Sequence, residues 1–368
     1  MLTDRDYMAR ALTLAERGRG RTSPNPMVGA VIVDDEGVVV GRGYHEFAGG
    51  PHAEIQALND AGPRARGATL YCTLEPCSHT GRTGPCAPRV ADAGVRRAVI
   101  ATCDPNPLVN GSGAALLRAR GVHVVSGLLE REAQDLNRPF FTIIQRLRPF
   151  ITMKVALSAD GRIAGAPGTR TPLTGAAANR YIHRERAEFD AIAIGSGTLL
   201  ADDPRLTARG AYRIRPFTRV VFDSRLRTPP EARLFSTLDA GPVIIVSTTA
   251  AVESEPDRLA GLVEAGAEVQ CLHERAPLAA ALEWLALRGI SSIVVEGGAV
   301  LHRAFWDANL VDRVQIFRTP VTLGPGGVEW LAEPLQIPGM TETRLGADTL
   351  IEGYVHRTDR SDRGGCGD

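Results

Sequence analysis

The stretch "PHAEIQALNDAGPRARGATLYCTLEPCSHTGRTGPC", residues 51–86, packs a histidine, a glutamate and two Pro-Cys pairs into one short span. His52, Cys77 and Cys86 supply one imidazole and two thiolates. Three protein ligands with a fourth place left for water is the pattern of catalytic zinc, whereas structural sites are usually closed by four. "HAEIQALNDAG" reads as a helix opened by His52 and closed by Gly62, and Cys86 opens a second helix after Pro85. Positive helix ends lower thiol pKa values and so favour the thiolates that zinc needs. Glu54 falls two residues after His52, close to the metal without having to ligate it. His79 is an alternative imidazole ligand. Its place between the cysteines, in a Gly-rich loop, suits a contact with substrate or solvent better. Cys72 and Cys103 lie in or beside apolar strands and read as core residues.

Outward from this stretch the chain alternates strands and helices. "DRDYMARALTLAERG" has helical spacing, and "MVGAVIVDDEGVVVGRGYH" reads as two strands around an Asp-Glu-Gly turn. "ATLYCTL", "RRAVIAT" and "VHVVSGLL" are further strands, with helices at "APRVADAG" and "GSGAALLRARG". "REAQDLNRPFFTIIQRLRP" is expected to be one connector helix ending before Pro149. A second series follows: "FITMKVAL", "AEFDAIAIGSGTLL", "TRVVFDS", "PVIIVST", "AEVQCL", "ISSIVVEGG" and "DRVQIFRTP", with a helix at "APLAAALEWLALRG". The alternation implies α/β domains with helix-covered sheets. Domains are expected over residues 1–148 and 149–357, followed by a polar, Gly-rich tail at 358–368 expected to be disordered.

A length of 368 residues suits two domains, and 44 % apolar with 23 % charged residues is ordinary for a globular protein. The formal net charge of +0 gives no electrostatic case for a nucleic-acid or membrane-surface partner. The charged start "MLTDRDYMAR" lacks an apolar signal region, so a cytoplasmic location is expected. Six cysteines are too sparse for a disulfide scaffold and suit metal or thiol chemistry. Lys and Arg total 42, yet Lys154 is the single lysine.

His52, Glu54 and the Pro-Cys pairs form the His-x-Glu…Pro-Cys arrangement of the zinc deaminases, in which zinc-activated hydroxide attacks an amino-bearing ring carbon. Glu54 is then the proton carrier, from the water to the ring nitrogen and on to the leaving ammonia. The second cysteine departs from the short Pro-Cys-x-x-Cys spacing, because eight residues separate Cys77 from Cys86. Here the resemblance narrows. "SPNPMVGAVIV", "GRGYHEFAGGPHAE" and "TLEPCSHTGRTGPC" resemble the deaminase half of the bifunctional riboflavin-biosynthesis deaminase-reductases. That resemblance implies a cytidine-deaminase-like three-layer domain, a phosphorylated diaminopyrimidine substrate, and Asn25, His45 and His79 lining its pocket. Read alone, Asn25 is also a turn former before Pro26, and His45 a histidine at a strand end.

In the second half no GxGxxG follows a strand. Glu296-Gly297-Gly298 instead joins a buried strand to a helix, where paired glycines let backbone N–H groups approach a phosphate. By itself this motif is more often merely a turn. Together with "MKVALSADGRIAG" and "GSGTLLADDPRLTAR" it resembles the reductase half of the same family, which implies a dihydrofolate-reductase-like domain using NADPH. The resemblance places Ala156, Thr198, Asp202, Ser224, Gly297, Gly298, Ala299, Val300 and Leu301 around the cofactor, and Arg186, Leu206, Arg209 and Glu296 around the substrate. Two arginines suit a phosphate monoester through paired N–H donors. Asp223 at a strand end could select NAD through its ribose hydroxyls, while Ser224 and Arg225 could accept a 2′-phosphate. Where the family carries Gly-x-Ser-x-Trp-Ile-Thr, this chain reads "GTRTPLT", so Arg170 and Pro172 stand in for the serine and tryptophan.

The expectation is therefore a bifunctional zinc-dependent deaminase and NADPH-dependent reductase. Its substrate is a small pyrimidine ribose phosphate, with no nucleic-acid or membrane partner and with a homo-oligomeric assembly. Lys154 is expected to act in the reduction, because a lysine surrounded by an Arg bias persists where guanidinium cannot serve. One rival is a nucleoside or tRNA deaminase with a non-catalytic C-terminal domain, which the neutral charge disfavours. Another is a zinc-stabilised binding module, which has no use for an unliganded Glu54.

Overall fold

The computed structural model describes residues 2–79, 84–107, 109–210, 215–273, 278–331, 335 and 337–355. The tail and part of the loop between Cys77 and Cys86 lie outside the described residues. The chain forms two compact units, one running to Leu147 and one opening at Arg148.

The first unit contains α1 (Asp4–Ala15), β1 (Gly29–Val33), β2 (Val39–Tyr44), α2 (Ala53–Ala61), β3 (Thr69–Leu74) and α3 (Cys86–Asp92). After these come β4 (Arg97–Thr102), α4 (Ser112–Ala119), β5 (His123–Ser126), α5 (Glu130–Leu136) and α6 (Arg138–Arg146). The sheet order is β2-β1-β3-β4-β5. β1 pairs antiparallel with both β2 and β3, and β3, β4 and β5 run parallel. Alternate strand residues feed two cores. Ile32, Leu70, Cys72 and Ala98 pack against Ala57 of α2, Val90 of α3 and Leu117 of α4. Val31, Val33, Tyr71 and Val99 pack against Met8 of α1 and Ala133 beyond it. The result is three layers, as expected.

Two glycines set how closely α2 lies on β2. A Cβ on Gly43 would stand 2.2 Å from the Ala53 carbonyl oxygen, and one on Gly41 2.3 Å from that of Ala57. Any side chain there would lift the helix that starts at His52. The expected connector helix is a correction: it breaks into α5 and α6 at Asn137. Pro139 lies at the start of the second helix. Asn137 is drawn aside to bond Met27, donating from Nδ2 to its carbonyl and accepting its N–H at Oδ1, both at 2.8 Å.

The second unit begins with β6 (Phe150–Leu157), β7 (Arg162–Ala164), α7 (Ala176–Arg186), β8 (Ala191–Gly195), α8 (Ser196–Asp202), β9 (Thr218–Phe222) and β10 (Val243–Thr248). It continues through α9 (Thr249–Ser254), α10 (Pro256–Glu264), β11 (Ala267–Leu272), α11 (Leu278–Leu287), β12 (Ser292–Glu296) and α12 (Ala299–Asp307). It closes with β13 (Arg313–Arg318), β14 (Val328–Glu329), β15 (Thr341–Leu345) and β16 (Asp348–Tyr354). Nine strands form one sheet, β11-β10-β9-β8-β12-β6-β13-β16-β15. The first seven are parallel, and β16 and β15 add an antiparallel hairpin. β12 comes late in the chain yet inserts between β8 and β6, so the strand order reverses there. Such a switch point leaves a crevice at the carboxyl ends of the strands. Met153, Val155, Val295 and Val314 face one core with Leu282 and Phe305. Lys154 and Glu296, one residue further along, face the opposite way beneath α7, where a small cavity is lined by Lys154, Arg186, Glu296, Gln315 and Phe317.

Candidate active sites

In the first unit β3 delivers Cys77, and the N-termini of α2 and α3 deliver His52 and Cys86. Their ligand atoms all lie within 4.8 Å of one another. His52 Nδ1 stands 3.6 Å from Cys77 Sγ and 3.3 Å from Cys86 Sγ. Zn–N of about 2.0 Å and Zn–S of about 2.3 Å at a tetrahedral angle separate nitrogen from sulfur by about 3.6 Å, so the three fit a zinc ion. The Cys86 N–H also donates to Cys77 Sγ at 3.4 Å, which favours thiolate there. The Cys77 thiol sits at about 4, first because Cys86 donates to it. Cys86 is pushed up, first by that same bond and then by burial.

Glu54 is buried, and its Oε2 has no hydrogen-bond partner. Burial pushes its carboxyl up to about 7, with the charge of Cys77 adding to the effect. An orphaned carboxylate oxygen beside two thiols and an imidazole suits a proton carrier, and no packing need explains it. Among the expected pocket residues, His45 is buried and its Nδ1 donates to the Pro51 carbonyl at 3.1 Å. Its Nε2 therefore accepts from Asn25 Nδ2, also at 3.1 Å, and burial lowers its pKa. The His45 ring lies edge-on to His52 with centroids 5.5 Å apart. Asn25 is thus held as more than a turn residue. His79 is exposed and is not one of the three grouped ligand residues. The sequence reading missed Glu75, the neighbour of Pro76-Cys77. Buried, it accepts backbone N–H bonds from Gly111 at 2.9 Å and Ala114 at 3.0 Å, tying the Cys77 turn to the start of α4. Its signal was its place in "TLEPC".

Replacing Cys86 with Ser removes one of two soft ligands. We expect purified variant protein to lose the single zinc of the parent chain, measured by metal analysis, together with deamination. Full retention of zinc would show that Cys86 is not a ligand.

In the second unit the strand ends of β8, β9 and β12 gather the expected cofactor residues. Gly297 has φ +129°, and a Cβ there would stand 2.8 Å from Thr198 Oγ1. Only glycine lets this turn close on α8. Gly298 caps α12 and donates its N–H to Thr198 Oγ1 at 3.0 Å. Ala299, Val300 and Leu301 form the first turn of α12, whose positive end faces the crevice, and Val300 is 86 % exposed. Ser224 is exposed after β9. Asp223 corrects one alternative: it is fully buried, and its Oδ2 accepts the N–H and hydroxyl of Thr228, both at 2.7 Å. It shapes the turn, and its buried Oδ1 has no hydrogen-bond partner. Asp202 is half-buried, its carboxyl raised by burial and lowered by the charge of Arg170. Arg170 therefore lies near enough to be felt at the crevice.

Ala156 lies on β6 two residues beyond Lys154, on the same face. Lys154 Nζ stands 3.5 Å from Glu296 Oε2, because the parallel register sets the two residues side by side. It also lies 5.5 Å from the centre of the Phe317 ring. Burial lowers the pKa of Lys154, against the pull of Glu296. Arg186 Nε and Nη2 donate to the Glu296 oxygens at 2.7 and 2.6 Å. Burial would raise the Glu296 carboxyl, but Arg186 and then Lys154 hold it down at about 2. Leu206 is buried at φ +52°, a costly conformation for a branched side chain, while Arg209 is exposed. His183, also missed, has its pKa lowered by burial and then by Arg186 and Arg209, which sets it beside both.

Among the described residues no helix is long and apolar enough to cross a membrane. Residues 1–102 match the cytidine and deoxycytidylate deaminase zinc-binding region, and residues 149–355 match the RibD C-terminal domain. The riboflavin biosynthesis protein RibD of Aquifex aeolicus is 39 % identical over 95 % of this chain and 97 % of its own length. Acinetobacter baumannii RibD superposes with a TM-score of 0.84 at 33 % identity, covering 96 % of this chain and 99 % of that one. The Thermotoga maritima diaminohydroxyphosphoribosylaminopyrimidine deaminase/5-amino-6-(5-phosphoribosylamino)uracil reductase gives 0.80 at 32 %, covering 95 % and 97 %. Two sites of different chemistry, one suited to zinc and one to a nicotinamide cofactor, thus sit in a chain matched along nearly its whole length, and the chain belongs to the RibD family of riboflavin-biosynthesis proteins.

Proposed function

We propose that residues 1–148 deaminate 2,5-diamino-6-(ribosylamino)-4(3H)-pyrimidinone 5′-phosphate and that residues 149–357 reduce the ribosyl group of the product, giving 5-amino-6-(ribitylamino)uracil 5′-phosphate. The observation that carries the deaminase reading is the unpartnered Glu54 Oε2 beside a His52-Cys77-Cys86 cluster spaced for zinc. Bound zinc supplies an acidified water. With the metal in place, Glu54 would be the group that accepts the proton of the attacking water, at its unpartnered Oε2. It then hands protons to the ring nitrogen and to the amine, which leaves as ammonia. Asn25 and His45 hold the pyrimidine, the fixed tautomer of His45 presenting an acceptor towards Asn25.

In the second unit Thr198, Asp202, Ser224 and the first turn of α12 hold NADPH, which supplies the hydride. Lys154 positions the ribosyl group and donates a proton to its ring oxygen as the C1′–O bond opens, leaving C1′ exposed for reduction. Glu296 orients the ammonium and the substrate. Arg209, exposed at the crevice, meets the phosphate. The test follows two signals in one reaction. Full-length protein with the diaminopyrimidine phosphate and NADPH should release ammonia and, in step, oxidise NADPH. Ammonia without NADPH oxidation would favour a deaminase with a non-catalytic second unit.

A further inference from the structure

His302 comes directly after Ala299, Val300 and Leu301 in α12 and is fully buried. Its ring turns inward, to the apolar core that contains Val295, Phe305 and Trp330. An imidazole in such a place is costly unless its nitrogens are bonded. Both are. The Trp330 indole Nε1 stands 2.9 Å from His302 Nδ1, and His302 Nε2 stands 3.3 Å from the Val295 carbonyl oxygen. An indole N–H only donates, so Nδ1 is the acceptor. A carbonyl oxygen only accepts, so Nε2 carries the hydrogen of the ring. The two partners fix one neutral tautomer, and burial pushes the pKa of His302 down to about 4.

The atoms that this ring holds matter more than its being satisfied. Val295 is the last residue before Glu296-Gly297-Gly298, and His302 lies beyond that turn. The bond from Nε2 to the Val295 carbonyl therefore closes a ring over the turn, tying the end of β12 to the start of α12. Gly297, at φ +129°, takes a conformation that glycine reaches freely and leaves as freely. Paired glycines bring no side chain of their own to hold their shape. From one side Thr198 Oγ1 accepts the Gly298 N–H at 3.0 Å. His302 braces the same turn from the core. Trp330 keeps the imidazole in place: it is itself buried, follows β14, and meets the ring edge-on with centroids 6.1 Å apart. An apolar side chain could fill this space but could not hold the turn.

We propose that His302 is a positioning residue for the reductase cofactor: its Nε2–H braces the Gly297-Gly298 turn against β12, so that the first N–H groups of α12 are set for a phosphate before NADPH binds. This rests on the reading of the crevice as the NADPH site. A braced turn has little ordering left to do on binding, whereas a loose one must be ordered at the expense of affinity. The turn holds the cofactor and takes no part in the hydride transfer itself. Loss of the brace therefore falls on affinity and leaves turnover at saturation nearly intact.

The experiment uses the full-length chain with His302→Gln, His302→Asn and His302→Met. Glutamine reaches the position of Nε2 and can still donate to Val295. Asparagine reaches only that of Nδ1, where it can accept from Trp330, and methionine has the length of glutamine without an N–H. NADPH dissociation constants from fluorescence titration are set beside kcat at saturating NADPH and deaminated intermediate, with thermal unfolding as the check on folding. We expect the Gln variant to bind NADPH within about threefold of the parent, and the Asn and Met variants about tenfold more weakly. In all of them kcat should stay within about threefold. If the Asn variant does not fold, Gln against Met carries the test. Equal losses of affinity in all the variants, or no loss in any, would overturn the proposal and leave the ring a packing role. Affinity kept with kcat lost would also overturn it, because His302 would then act through Glu296 and not through the turn. A parent chain that binds no NADPH would sink the reading of the crevice, and this assignment with it. Binding by the parent with no difference between Gln and Met sinks the assignment of His302 alone.

Discussion

Glu54→Gln abolishes deamination while leaving zinc and the reductase in place: that is the result expected from the first unit. The amide has nearly the shape of the carboxylate, and Glu54 makes no side-chain bond at Oε2 that the fold depends on. Glutamine cannot carry a proton between water, ring nitrogen and leaving amine. A positioned general acid–base contributes on the order of 10² to 10⁴ in rate, so ammonia release should drop by about that factor. Three measurements on one preparation check this: ammonia release from the diaminopyrimidine phosphate, zinc content, and NADPH oxidation with the deaminated intermediate. Retained deamination would remove Glu54 from the mechanism. Parallel loss of the two activities would mean instead that the amide disturbs the fold.

The deaminase cluster was legible because its signals are local. His52 and Cys86 each stand at the start of a helix, and Cys77 lies in the turn just after β3, so three short segments fix where the ligand atoms point. The strands with apolar runs were legible for the same reason. The hairpin of β15 and β16 was not read. "TETRL" is mostly exposed at the sheet edge and offers no apolar alternation. Its partner strand β16 also pairs with β13, in a register set by residues about thirty to forty positions away. The break at Asn137 was hidden in the same way, since the group that draws Asn137 out of the helix is the backbone of Met27.

The reductase crevice shows where sequence resemblance stops. It could list Arg186, Arg209 and Glu296 together, but which cation the carboxylate takes depends on three elements meeting: β12, α7 and β6. Asp223 is a similar case. At the end of a strand it reads as a ribose ligand, yet Thr228, five residues on, claims its carboxylate within the turn. The exposed groups after β9 include Ser224 and Arg225, a pair that suits a 2′-phosphate.

Lys154→Arg is expected to remove most reductase turnover and to spare deamination. Every other basic position among the 42 is arginine, so the substitution follows the bias of the chain itself. The site explains why it should fail. The Lys154 side chain is only 14 % exposed, with Glu296 on one side and the buried Phe317 ring on the other. A guanidinium there is bulkier and planar, and it would compete with Arg186 for a carboxylate already held by two short bonds. It would also keep its proton, whereas burial brings the ammonium of Lys154 closer to giving one up. Positive charge is conserved, so any loss reports geometry and proton donation rather than electrostatics alone. We expect NADPH oxidation with the deaminated intermediate to fall about tenfold or more, with ammonia release and NADPH binding close to the parent. Turnover near the parent rate would make the lone lysine an accident of composition, and the proton for the ribosyl oxygen would then have to come from solvent or from another residue at the crevice.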